Sequence, residues 1–511
     1  MRKIVLFAAL AGVVGLGAYY GLSSLSDRGV KQALDQALQK LPPGWTVTYD
    51  SADYGMFSNR AVLKGVAIHG TGNVKLDAQI DELDVAGLAL DVGSTWAAAA
   101  ADPAARTPDK ALRVADAIAV KGVTVHLDSQ EIRLGFGRIE RMRLYPWALL
   151  HDNIPSFAEA MDRVAHPSTP AKSEDILPLL RLEAAYFLGT GYGSYTADDL
   201  AVRFQVAMPD APPTSVAYTL RKLTATNVDR GTGDFAADGF ATTAEPNLDG
   251  KIDHVVMAGL DVRKFFTQIL SGAPLDAPGT EATLGKLDYT GIAIKTPTGA
   301  PLTIGEIALS NLAVAQGLLV SADFSVTGFK VAKALVTDPR ALAVFNQWGL
   351  DSVTVGFGAD YNWNIEQKTA VLKQAEIKLD ELGALTLSAD FSGVEKADTL
   401  QQTGALNHAV LRYTDASLAG RALKIAASGG DPADYAQQIT LVIRSQSALL
   451  GNSEAVTGAV NAIGAFLADP HRLTIEATPP APLTLAAFDA MRSAPAAELF
   501  PKLGLTITAG P

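Results

Sequence analysis

Residues that could do chemistry are scattered along the chain, and each has to meet the spacing its chemistry needs. A phosphate loop requires Gly-x4-Gly-Lys followed by Ser or Thr, so that backbone amides cradle the phosphates and the hydroxyl reaches a metal. The nearest candidate, Gly279 to Gly285-Lys286, has five intervening residues and Leu287 where the hydroxyl belongs. Gly189-Thr190-Gly191-Tyr192-Gly193 lacks the final spacing of a dinucleotide fingerprint and reads as a turn between strands. There is no Gly-x-Ser-x-Gly elbow, and nothing pairs Ser194 or Ser428 with a histidine. The histidines at 69, 126, 151, 166, 254, 408 and 471 form no His-x3-His or His-Glu-x-x-His pair, so each reads as a surface or strand residue. Asp198-Asp199 and Asp380-Glu381 read as solvated turn residues. Glycosidase carboxylates and cation ligands can lie far apart in sequence, so spacing does not reveal them. The sequence assigns no catalytic, cofactor-binding or metal-binding residue, and no cofactor.

Composition narrows the classes further. A 511-residue chain with 48% hydrophobic residues and a mean hydropathy of +0.16 can bury a large core. A net charge of −12 with scattered signs opposes nucleic-acid binding, which needs a basic face, and disfavours electrostatic docking on anionic lipid heads. With no cysteine, disulfides, thiolate catalysis and cysteine-ligated metals are excluded, and packing alone must hold the fold. Charged residues make up only 19%, against 45 glycines and 26 prolines, a balance that suits many strands and turns.

The element that would place the rest is Ile4–Leu22, an uncharged run preceded by Arg2 and Lys3. At about 1.5 Å per residue, a helix of this length nearly spans a bilayer core of roughly 30 Å. Its length, its imperfect cleavage sites and the basic residues before it favour a signal anchor over a cleaved signal peptide. Both readings put the body outside the cytoplasm. No other stretch is long and apolar enough, so a single span is expected. Val30–Leu41 then reads as a short amphipathic helix stopped by Pro42-Pro43-Gly44.

From Trp45 the period changes to two, with a phase slip before Leu83 and Val85 that indicates a bulge. Gly93–Leu112, with five consecutive alanines and two prolines, reads as an exposed loop or an inserted low-complexity segment. Strands are expected at Ala117–Leu127, Gln130–Tyr145, Leu179–Met208, Ser215–Thr224, Leu287–Ile294, Leu302–Val314 and Ala322–Phe329, with the proline-rich residues 209–213 interrupting the series. Helical segments are expected at Ile154–Val164 and Gly259–Leu270, and a linker at residues 165–173. Two short helices are expected within Val331–Trp348, the second capped by Asp338-Pro339. Val353 to Ile365 is the clearest strand, followed by an antiparallel meander through Val371–Leu379 and Ala384–Val394. A helical hairpin follows: its first helix starts at Asp431-Pro432 and its second, Asn452–Leu467, presents Val456, Val460, Ile463 and Leu467. A last strand, a helix near Leu485–Arg492 and a strand at Leu505–Thr508 complete the chain.

One device recurs in the strands: an amphipathic run, then Gly or Asn, then an apolar residue. Gly65, Gly122, Asn227, Gly291, Asn311 and Gly393 hold that position. Both residue types tolerate positive φ, so each marks a turn or bulge, and together they suggest a long curved sheet. The fold class is therefore α+β, predominantly antiparallel β: an elongated curved sheet or sandwich with peripheral helices and one N-terminal transmembrane helix. Four regions follow: 1–25 as anchor, 26–150, 151–400 and 401–511, the last containing the hairpin.

The N-terminal span, the juxtamembrane helix, Tyr54-Gly55-Met56-Phe57, the Leu63-Lys64-Gly65-Val66 type of unit and Leu411-Arg412-Tyr413-Thr414-Asp415 resemble the layout of AsmA-like and YdgA-like bacterial envelope proteins. The resemblance implies a single-pass inner-membrane anchor and a β-rich periplasmic body. For the AsmA-like branch it also implies a role in lipid movement or outer-membrane homeostasis. It supplies no catalytic residue. Three functions remain open: a non-enzymatic protein that holds or transfers lipid or another amphiphile, a structural or assembly factor that binds another envelope protein, and a hydrolase with dispersed residues. The first is the reading adopted, with the membrane as a partner through the N-terminal helix and no nucleic acid.

Overall fold

The computed structural model describes residues 44–510 except 56, 72–74, 90, 128–129, 157–158, 161–162, 164–175, 209–210, 245–247, 275–276, 297–299, 317, 396–402, 448–452 and 492–495. The expected anchor Ile4–Leu22, the helix Val30–Leu41 and the linker 165–173 lie outside the described residues, as do residues 157–158, 161–162 and 164 of the expected helix Ile154–Val164. Among the described residues no helix is long and apolar enough to cross a membrane. Antiparallel strands predominate, with helices at the periphery. The chain divides into two units, Met1–Leu287 with Val314–Leu318 and Asp288–Ala313 with Leu319–Pro511.

In the first unit, β1 (Trp45–Thr48) and β2 (Ser51–Gly55) pair side by side with β3 (Arg60–Thr71). The ladder then runs in chain order through β4 (Lys75–Ala86), β5 (Leu112–Leu127), β6 (Gln130–Leu144), β7 (Thr190–Met208), β8 (Ala211–Asp229), β9 (Thr232–Ala244) and β10 (Leu248–Asp261). Between the strands lie α1 (Val92–Ala101), α2 (Pro146–Leu149) and α3 (Leu177–Gly189), and α4 (Arg263–Leu270) follows β10. β11 (Glu281–Lys295) carries the chain into the second unit.

All six glycines and asparagines of the repeat have positive φ, from +52° at Asn311 to +70° at Gly393. In the first unit they fall on lines that cross the sheet. The pairing register leaves one residue per strand between flanking partners, giving Gly65, Asp81, Gly122, Gly135, Asp199, Arg221, Gly239 and Asp253 from β3 to β10. Positive φ occurs on the alternate strands, at Gly65, Gly122, Asp199 and Gly239. A second line holds Asp116, Arg141, Gly193, Asn227 and the Asp234–Gly259 pair. There the positive φ falls on the other strands, at Arg141, Asn227 and Gly259.

Each line shifts the inward side chains by one residue. In β8 the inward residues are Val216, Tyr218 and Leu220 before the first line, Leu223 and Ala225 after it, and Val228 after the second. The slip read before Leu83 is the first line, at Asp81 and Glu82. Aspartates stabilise the kinks. The carboxylates of Asp50, Asp81 and Asp116 stand where a Cβ would project from Gly65, Gly122 and Gly87. Asp234 Oδ1 accepts the Gly259 amide at 2.8 Å. Such bulges add right-handed twist to each strand.

Several sequence expectations are corrected in this unit. Gly93–Leu112 is not a loop throughout: α1 and a 3-10 turn at Pro103–Ala105 occupy its first part, because alanine has the highest helix propensity, and only residues 106–111 form a connection to β5. Arg106 ties that helix down, donating to the carbonyls of Ala99 at 2.7 Å, Ala100 at 2.9 Å and Leu150 at 2.6 Å. Leu179–Met208 is not one strand, since its first part is α3, with Pro178 in its first turn and Ala184, Ala185 and Leu188 buried at helical spacing. The helix expected over Gly259–Leu270 begins only at Arg263, after the β10 bulge. Pro212 and Pro213 lie inside β8, where β9 pairs only from Val216 onward and no ladder bond is lost on that side. Strands β9 and β10 are not among the elements expected from the sequence. At the strand ends, α2, α3 and α4 share a core of Ala148, Ala184, Leu188, Phe266, Ile269 and Leu270. Within it Phe187 stacks on Phe266 at 5.4 Å.

The second unit contains β12 (Pro301–Ala315), β13 (Leu318–Ala332), a 3-10 turn at Lys333–Leu335 and α5 (Pro339–Trp348). Asp338 Oδ1 caps α5, accepting from Arg340 N at 2.7 Å and Ala341 N at 3.0 Å, and Gly349 ends it with φ +65°. β14 (Ser352–Asn364), β15 (Thr369–Leu379) and β16 (Gly383–Ser392) form the expected antiparallel meander, and β17 (Ala405–Asp415), which is not among the expected strands, extends it. Then come α6 (Leu418–Ala426), α7 (Pro432–Ser447), α8 (Glu454–Ala468), β18 (Arg472–Ala477), β19 (Leu483–Thr484), α9 (Leu485–Ala490), α10 (Ala496–Leu503) and β20 (Leu505–Gly510). β18 joins β17 to β20, and β19 pairs with the start of β17. The hairpin is α7 with α8. It buries Val456, Ala459, Val460 and Phe466, so Phe466 replaces Leu467 on the core side.

The kink lines yield a stability prediction. Gly122→Ala puts a Cβ at φ +59° against Asp81 and is expected to cost about 1–3 kcal/mol. Gly420→Ala in α6, with open space around it, is expected to gain about 0.5–1 kcal/mol. Urea unfolding of both variants tests this, and a Gly122→Ala protein as stable as its parent would refute it.

Candidate ligand-binding faces

The motifs weighed in the sequence separate in space. Gly189 ends α3 and residues 190–193 open β7, so the glycine run is a helix-to-strand joint rather than a turn between strands. That is the reverse of a dinucleotide site, where a strand leads through glycines into a helix. Gly279 lies in a turn with φ +86°, and Lys286 is within β11. Asp199 is a kink residue in mid-strand, not beside a turn; Glu381, with φ +64°, does lie in the β15–β16 turn. Ser194 donates to Glu140 Oε2 at 3.0 Å, and Ser428 sits in the turn after α6. His254 meets Asp238 at 2.6 Å, His408 meets Glu476 at 2.8 Å, and His69 pairs with Asp77. Each is a partly exposed cross-strand pair. His166 is outside the described residues. Among the described residues no three His, Asp or Glu side chains are grouped to hold a metal ion.

The pairing register brings apolar surface together instead. In the first unit one row of inward side chains runs Val66, Ile80, Val123, Leu134, Leu200, Leu220, Phe240, Ile252. On the other side of the first kink line, Leu63, Leu83, Val120, Gly137, Ala197, Leu223, Ala237 and Val255 continue the face. None of these positions is charged. The face is closed at β3–β5, where Val66, Ile80 and Val123 are buried. From β6 onward Leu134, Leu200, Leu220, Phe240 and Ile252 are only half-buried.

Aromatic rings stand on this open part. Tyr218 lies between Phe204 and Phe240, with centroids 5.7 and 5.9 Å away, and is 36% exposed. Beside it the Thr242 hydroxyl is buried without a hydrogen-bond partner. The opposite face is polar. Lys64, Glu82, Lys121, Asp198, Lys222, Asp238 and His254 stand in one row there, with Phe136 on β6 its single apolar member and Lys121 bonded to Glu82 at 2.6 Å.

The second unit has its own apolar face. Val326, Phe357, Ile377, Leu385, Tyr413 and Leu473 are successive partners across β13 to β18. At the β17–β20 end α8 covers it, with Phe466 edge-on to Tyr413 at 5.8 Å. Away from the helices it is open: Phe357 is 40%, Ile377 57% and Leu385 41% exposed. Free-standing apolar side chains in adjoining positions mark an interaction surface more often than scattered ones do. Strand alternation implied such faces; the aromatic ladder was not visible, because its members are separated by 14 to 22 residues (204, 218, 240).

A polar knot closes the end of β6. Tyr145 donates to Asp229 Oδ1 at 2.5 Å, and Arg230 stacks over the Tyr145 ring at 5.3 Å while bonding Asp109 at 2.5 Å. Burial, with the bond to Asp229, pushes the Tyr145 phenol up to about 12. Burial also pushes Tyr195 up to about 12 and raises Tyr192 and Tyr186.

A family model described as an uncharacterized protein matches residues 376–510, from within β15 to the end of β20. Comparison with curated proteins finds no match.

The raised phenols set an alkaline limit. The folded state holds these protons to higher pH than the unfolded chain, whose tyrosines ionise near 10. Stability is therefore full below about pH 10 and falls as pH rises toward about 12. Tyr145→Phe is expected to lower stability at neutral pH by about 1–2 kcal/mol, since Asp229 loses a bond. It should also remove one late-ionising phenol from a phenolate absorbance titration; a titration identical to that of the parent would contradict the assignment.

Proposed function

We propose that this chain is a non-enzymatic, membrane-anchored envelope protein, with its body in the periplasm of a bacterium, that holds or transfers lipid through its apolar sheet faces. The observation that carries the reading is the uncharged apolar rows on the inner face of each unit, closed at one end and half-open over several strands. An acyl chain needs such a surface and no charged partner on it. Each buried methylene contributes about 0.8 kcal/mol, so about ten of them give roughly 8 kcal/mol before the cost of ordering. The aromatic ladder around Tyr218 adds rigid apolar area, and the Thr242 hydroxyl offers a polar contact within it. The N-terminal run Ile4–Leu22 and the AsmA-like and YdgA-like layout support tethering beside a bilayer, where lipid is available. The polar opposite face of the first unit keeps the loaded sheet in water.

Full-length protein isolated from membranes, extracted and examined by mass spectrometry, is expected to carry phospholipid or a related amphiphile. Tyr218→Asp and Ile377→Asp, one on each face, should each lower the bound amount several-fold while circular dichroism stays unchanged. Protein free of lipid, or lipid content indifferent to both substitutions, would end the proposal.

A further inference from the structure

β20 forms a margin of the second unit. It pairs with β18 in unbroken register from Leu505↔Ala477 to Gly510↔Arg472, and among the described residues no strand pairs with its other side. Sheet margins are normally blunted by charge, proline or a bulge, because their unpaired amides and carbonyls template further strands. The margin of the first unit follows that rule: β1 and β2 are interrupted at Tyr49-Asp50, and Asp53 lies on β2. β20 does not. Its residues, Leu-Thr-Ile-Thr-Ala-Gly, include no charge and no proline, and its register has no shift.

We infer that β20 is the seat of a two-fold contact with a second copy of this chain. The segment is self-complementary about Ile507. In an antiparallel pairing centred there, Ile507 meets Ile507, Thr506 meets Thr508, and Leu505 meets Ala509. Threonine opposite threonine and one aliphatic residue opposite another are favourable cross-strand pairs, and no like charges oppose each other. Thr506 and Thr508 are exposed, whereas Leu505 and Ile507 are half-buried on the side where α8 packs. A second β20 would therefore extend the apolar strip that Leu411, Ile475 and Ile507 form across β17, β18 and β20. A closed two-fold pair also removes the free margin from both copies. Six residues make a contact smaller than the standard interface of roughly 1,600 Å², so the association is concentration-dependent. A peptide from another protein would use the same backbone groups, but nothing requires it to match the symmetry about Ile507.

The chain has no cysteine, so introduced thiols report alone. In full-length protein, an equimolar mixture of Thr506→Cys and Thr508→Cys is expected to form the mixed 506–508 disulfide several-fold faster than either variant forms its own dimer. Sedimentation velocity should show reversible dimerisation, weakened at least about tenfold by the double variant Thr506→Lys/Thr508→Lys, which sets lysines against each other. The cysteine pair keeps the test decisive if the lysine variant misfolds. Protein that stays monomeric at all concentrations, a dimer with no preference for the mixed disulfide, or a different polypeptide occupying this margin on monomeric chain would each overturn the inference.

Discussion

Each strand from β5 to β10 in the first unit is compelled to keep one apolar face through two kinks. A β-strand alternates its side chains with a period of two, and a left-handed residue breaks that alternation. In an isolated strand the break would turn hydrophobic side chains toward water. Here the break recurs at the same level in neighbouring strands, so every strand slips together and the inner face stays continuous. The cost of positive φ falls on glycine and asparagine at most positions. Asp199 and Arg141 take it elsewhere, with φ +56° and +53°. The aspartates facing the kinks follow from the same constraint, because a kinked backbone leaves amide groups that need acceptors, as Gly259 N shows with Asp234.

That constraint explains what was legible. Antiparallel pairing, the meander from β14 to β16, the Asp338 cap and the positive φ of the repeated glycines and asparagines could all be read locally. The lines themselves could not, since they depend on register between strands far apart in sequence. The double slip also gives β8 inward spacings of two, two, three, two and three residues, which match neither a strand nor a helix template. Strands β9 and β10 are invisible for that reason. α3 was misread as strand because leucine, tyrosine and phenylalanine suit both elements, and only its partners, Phe266 and Ile269, decide the matter. α1 was misread because its alanines pack through Ala99 and the distant Arg106 rather than through an apolar stripe.

The candidate faces were harder to read than the fold. Alternation predicts an apolar side but not what lies on it. Val66 and Leu220 stand in one row, yet the first is buried and the second half-open. The difference comes from which elements end nearby, and that is a property of the whole unit.

Closure at one end and opening at the other also limits what could be held. A fully dry face would be ordinary core, and a fully open one would aggregate with its like. In the second unit α8 seals Tyr413 through Phe466, while Ile377 and Phe357, two and three strands away, remain partly in water. A ligand lying along that gradient would displace water at Ile377 without prising apart any protein contact. Its chain would gain most where the strands are barest, and any charged head would be driven outward, because the inner rows offer no charge to meet it. Release would then break apolar contacts but no ion pair.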